Sequence, residues 1–253
     1  MGDLQTKSWL DANLASMEDW KQSAFKHFGD MIADKENTYP CIPGRQGFLS
    51  DNLRFGFVKD PRGQDAIRDV ASLLKSYGEI SKDTGKYASL VVFFETPIDM
   101  LDTYSVEQYE TLFWSVLNRV SEIDEMEWPA DIPTDPAHHE WEYCFHGEPY
   151  FAFCATPAHT FRKSRRFPCF MLAFQPRWVF DEINDSTLFG RKMKKAIRKR
   201  LAAYDDVPIH PDLKWYGQTD NHEWKQYFLS DDERRPSKCP YTYMKNKLKK
   251  LRR

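Results

Sequence analysis

Between Trp141 and Trp178 the sequence gathers His146 and His159, Cys144, Cys154 and Cys169, and the arginines Arg162, Arg165, Arg166 and Arg177. Imidazole and thiolate side chains bind transition metals, and guanidinium groups bind carboxylates through paired N–H donors. The stretch has the side chains for a metal or an anionic cofactor. Just upstream, His138, His139, Glu142 and His146 supply the ligand types of a two-histidine, one-carboxylate iron site. Residues four apart on an extended strand share a face but stand roughly 13 Å apart, so His138, Glu142 and His146 converge only where the chain bends sharply.

His159 follows Thr156-Pro157, which ends a strand, so its side chain can project into a cleft, and Arg162 and Arg165 follow closely. One axial imidazole with arginines for two propionates is what a haem requires. A surface histidine in a basic loop has the same spacing, and both readings stay open. Cys41, in Y-P-C-I-P-G, is either a metal thiolate or a small buried apolar side chain. No C-x-x-C pair, H-E-x-x-H, G-x-S-x-G elbow, Walker loop or Rossmann glycine fingerprint occurs, which weighs against structural zinc, zincin, hydrolase and nucleotide chemistry.

The elements that must position these residues read as follows. Apolar side chains at three- and four-residue steps place a helix over 16–32, and Leu53, Phe55 and Phe57 alternate in a strand within 47–59. The prolines and glycine of K-E-N-T-Y-P-C-I-P-G disfavour regular structure between them. Ile67 to Tyr77 form a helix ended by Gly78, and Tyr87 to Phe94 a strand covered on both faces. Ser105 and Gln108 have capping-box spacing ahead of a helix. Trp141 to Phe145 and Tyr150 to Cys154 alternate about Gly147 as a β-hairpin, and Cys169 to Phe174 return as a strand. A basic helix, most of its charge on a solvated face, spans 186–204, and 210–229 forms a closing loop with a short strand. The pattern predicts an α+β fold: a single domain over residues 1–235, with a mixed or antiparallel sheet flanked by amphipathic helices, and a basic, solvated tail over 236–253.

The 253 residues carry 36 basic and 38 acidic side chains, a net charge of −2, so there is no general attraction to nucleic acid or an anionic membrane. No long apolar run exists, and five cysteines without paired spacing fit reduced thiols, so a cytoplasmic location is expected.

Y-P-C at Tyr39, L-R-F-G-F-V-K-D-P from Leu53, S-L-V-V-F-F from Ser89, W-E-Y-C-F-H-G-E-P-Y-F from Trp141, T-P-A-H from Thr156, F-Q-P-R-W-V-F from Phe174 and N-H-E-W-K-Q-Y-F-L from Asn221 resemble the YqcI/YcgG family. The resemblance implies a haem-dependent N-hydroxylase, using haem b with oxygen or peroxide and an electron donor, on a guanidino or amino small molecule such as arginine. It implies His159 as proximal iron ligand, with His146 and Cys41 as fallbacks, and Arg162, Arg165 and Arg177 for the propionates. Glu148 or Glu142 would accept a guanidinium in bidentate fashion. Two other functions fit the same residues: a haem-binding sensor or carrier without turnover, and a non-haem iron oxygenase built on His138, Glu142 and His146.

Overall fold

The computed structural model describes residues 3–181, 183–215 and 218–242. Its centre is β3 (Ser89–Phe94), whose six residues are all buried because S-L-V-V-F-F offers apolar side chains to both faces of a sheet. β2 (Leu53–Val58) lies parallel to β3, joined to it through α4 (Gln64–Ile80), and β1 (Gln5–Thr6) pairs antiparallel with the far side of β2. On the other side come β6 (Met171–Pro176), β5 (Glu148–Ala155) and β4 (Tyr143–Phe145), each antiparallel to its neighbour. The result is one mixed sheet of six strands, and the fold is α+β.

Both faces are covered. Leu90, Val92, Leu172 and Phe174 meet Leu74 and Tyr77 of α4 and Phe113 and Leu117 of α6 (Val106–Glu122) in one core. The capping box that opens α6 is formed, with Gln108 N–H donating to Ser105 Oγ and Ser105 N–H to Gln108 Oε1. On the opposite face Phe55, Val91 and Phe93 pack against Phe25, Phe28 and Ile32 of α2 (Asp19–Ala33). Edge-on rings dominate there: Phe28 lies 5.7 Å from Phe93 and 5.7 Å from Phe55. Each such Phe contributes roughly 1.5–3 kcal/mol through its burial.

Several expectations need correction. The proline-rich segment does not stay irregular: α3 (Ile42–Leu49) begins there, with Cys41 as its N-cap and Pro43 in the first turn. Proline is tolerated at that place because the first-turn N–H groups have no partner within a helix anyway. α3 also takes Gly47, so β2 starts later than the alternation suggests. Gly78 does not end α4, which continues to Ile80; a Cβ on Gly78 would stand 3.3 Å from Tyr150 Oη, so the residue permits close packing of helix on sheet. Within 210–229 the regular element is a short helix, α8 (Trp224–Tyr227), in place of a strand. The hairpin turn does form, but His146 (φ 52) shares the left-handed backbone with Gly147 (φ 77), and Trp141 precedes β4.

Part of the basic tail packs on the body. Tyr241 is buried, its hydroxyl 2.9 Å from Ser121 Oγ, and Thr242 N–H donates to Asn118 Oδ1, so the chain to residue 242 packs on α6. The rest of that tail lies outside the described residues. Among the described residues no helix is long and apolar enough to cross a membrane.

Candidate active site

α2 and α3 cover only part of the second sheet face. Over the rest stand α7 (Leu188–Tyr204) and the segment leading to α8, and a cleft of about 370 Å³ remains between them. Val91, Phe153 and Ala173 form its floor, Ile32 and Cys41 one wall, and Ile197 and Leu201 of α7 the other. Most of this lining is apolar, which suits a flat apolar ligand; the charged groups enter at defined points.

Cys41 occupies the start of α3, where its Sγ accepts a hydrogen bond from Gly44 N–H at 3.3 Å. Burial raises the thiol pKa, while that N–H and the charges of Arg165 and Arg200 act the other way. Gly44 adds no side chain over the sulfur; a Cβ there would stand 3.2 Å from Cys41 Sγ.

The three arginines expected at propionates serve different ends. Arg162 is 1% exposed, and its guanidinium donates to the carbonyls of Ser230, Pro208 and Asp232, which ties the loop after β5 to the segment after α8. Arg165 is buried 4.1 Å over the Phe153 ring and donates to the carbonyls of Tyr227 and Gln226, both at 2.8 Å. Burial pulls its pKa down to about 10. Arg177 Nη1 lies between two buried carboxylates, 3.1 Å from Glu142 Oε1 and 2.9 Å from Glu223 Oε2.

His159 does not project into the cleft. It is 1% exposed, with Nδ1 2.8 Å from Thr156 Oγ1 and Nε2 2.8 Å from the Leu229 carbonyl oxygen. Both ring nitrogens are thus engaged, because the segment after α8 crosses over the strand exit and turns the imidazole inward. Its pKa falls to about 4, chiefly through burial.

The remaining candidates are not brought together. His146 sits in the hairpin turn, where its N–H donates to Asp124 Oδ2; His138 is exposed and stacks on His139 at 4.6 Å. Glu148 opens β5 at the same end of the hairpin and does not line the cleft. Glu142 is buried against Arg177. Among the described residues no three His, Cys, Asp or Glu side chains are grouped to hold a metal ion, so the three-ligand iron arrangement is not assembled.

Two features of the cleft escape the sequence reading. Glu223, in N-H-E-W, is a buried wall residue whose carboxyl is lifted to about 7 by burial against the pull of Arg177. On basic α7, read as a solvated face, Lys194 and Arg198 line the cleft. Lys194 Nζ stands 4.0 Å from the Trp215 ring centre, and burial, with Arg198 nearby, lowers it to about 8. Their one-turn spacing on a single helix face was the available signal.

A model of the YqcI/YcgG family matches residues 28–242, a span holding the cleft and every side chain named in it. The chain belongs to the YqcI/YcgG family. It is 56% identical to the YcgG protein of Bacillus subtilis (strain 168) over 98% of both chains, and 57% identical to YqcI of the same organism over 100% of this chain and 99% of that one. A relative from Streptomyces lavendulae, DcsA, provisionally named an N(omega)-hydroxy-L-arginine synthase, is 36% identical over 88% of this chain and 84% of its own. No solved structure matches the chain.

Proposed function

We propose that this YqcI/YcgG protein is a haem-dependent enzyme that hydroxylates a guanidino nitrogen of an arginine-like molecule in the cleft beneath α7. The observation that carries the reading is the placement of Cys41: a thiol at a helix N-terminus, facing an apolar cleft, with no side chain at Gly44 to cover it. The name borne by the Streptomyces relative supports the substrate class.

The residues present fit a haem. Cys41 would hold the iron; burial raises its thiol pKa, and the Gly44 N–H and the Arg165 charge oppose that rise. Lys194 and Arg198 would meet the propionates, since Arg162 and Arg165 spend their donors on backbone carbonyls. The bound haem would supply the iron chemistry that activates oxygen or peroxide for insertion of one oxygen atom into an N–H bond. The chain itself excludes water with Phe151, Phe153 and Ile197, and offers carboxylate to a cation at Glu223.

The test is an absorption spectrum of protein purified after expression with added haem, together with a pyridine haemochrome assay. A Soret band lost in Cys41→Ser and kept in His159→Ala is the expected result. Incubation with L-arginine, reductant and oxygen should add one oxygen atom by mass spectrometry. Haem binding without product would favour a carrier or sensor, and absence of haem sinks the reading.

A further inference from the structure

Arg177 joins two elements that are far apart in sequence. It follows β6 in a short turn, and its Nη1 is shared between Glu142, just ahead of β4, and Glu223, at the start of α8. Side-chain exposure is 0% for Glu142 and 6% for Glu223, so both carboxylates are withdrawn from water. A carboxylate held in a buried site is costly without a counter-charge or a donor for each oxygen.

Glu223 is where that counter-charge can be delivered. Oε2 accepts from Arg177, whereas Oε1 is buried and has no hydrogen-bond partner. Glu223 lines the cleft and Glu142 does not, so a ligand reaches the carboxylate pair only through Glu223. Burial lifts its carboxyl to about 7, so little is needed to keep it charged once a cation arrives.

We propose that Glu223, oriented by Arg177, accepts the positively charged end of the substrate through its unoccupied oxygen. This deepens the N-hydroxylase reading and rests on it for the identity of that end as a guanidinium. A planar guanidinium donates through two parallel N–H groups and gains most from a carboxylate, while a neutral ureido group of the same shape gains only ordinary hydrogen bonds.

The decisive measurement is calorimetric titration of the full-length protein with L-arginine, L-citrulline and L-lysine, for wild type and Glu223→Gln. Wild type should bind arginine about tenfold or more tighter than citrulline, and Glu223→Gln should reduce that ratio to within about twofold. A wild-type ratio near one overturns the inference without recourse to a variant. Arginine bound and hydroxylated as before by Glu223→Gln also overturns it, while the N-hydroxylase reading stands. Lysine binding that depends on Glu223, with no binding of arginine, keeps the cation acceptor and removes the guanidino substrate.

Discussion

His159 Nε2 lies 2.8 Å from the Leu229 carbonyl oxygen, and that contact sets the state of the imidazole. A carbonyl oxygen only accepts, so Nε2 carries the proton and Nδ1 accepts from the Thr156 hydroxyl at 2.8 Å. The ring is a neutral pin between the exit of β5 and the segment after α8.

Removing the pin should cost stability and leave the cleft chemistry in place. His159→Ala strands a buried carbonyl and a buried hydroxyl and opens a cavity, for a loss of about 2–4 kcal/mol in urea unfolding. The haem spectrum of the folded variant should match wild type. A lost Soret band in a variant that still folds would return His159 to the role of iron ligand.

The same residue gives the protein an acid limit. The folded state holds His159 near 4 and the unfolded chain near 6.5, so below 6.5 the unfolded state binds the extra proton. Stability is therefore complete above about 6.5 and falls as the pH drops through that window, by up to about 1.4 kcal/mol per pH unit. Denaturant melts between pH 4 and 7 should show this slope, and His159→Phe should flatten it.

Cys41→Ser separates ligation from folding. Serine is a better N-cap than cysteine and keeps an acceptor for Gly44 N–H, so unfolding free energy should change by less than about 1 kcal/mol. Haem content should nevertheless fall about tenfold or more, because an alcohol is a poor iron ligand beside a thiolate. Unchanged haem content would move the ligand elsewhere.

Gly56→Ala probes how tightly α4 lies on the sheet. A Cβ at Gly56 would overlap Leu73 Cδ1 and stand 2.9 Å from Leu73 Cδ2, with the leucine buried and confined. The expected cost is about 1–3 kcal/mol in unfolding experiments, with Leu73→Ala in the same chain relieving part of the clash. Additive losses in the double variant would mean that the two sites do not touch.

The sequence by itself determined most of the elements and their order, because those depend on neighbours within a few residues; α3 and the helical form of α8 came only with the structure. The apolar run of Ser89–Phe94 had to be covered on both faces, Ser105 and Gln108 had to cap α6, and Gly147 had to turn the hairpin. Local spacing also marked Cys41 and His159 as ligand types, and the family resemblance put His159 first. Only the tertiary structure decided which side chains meet in the cleft. Thr156 and His159 gave a local hint of a strand exit, but the direction of the imidazole depends on Leu229, a contact 70 residues away in the chain. Arg177 and Glu223 are 46 residues apart, and neither has a neighbour in sequence that announces the other. Lys194 and Arg198 look like any solvated basic stripe until α7 is laid over the open part of the sheet. Helix and strand formation is written in periods of a few residues, whereas a site is written in which faces the packing of whole elements leaves uncovered.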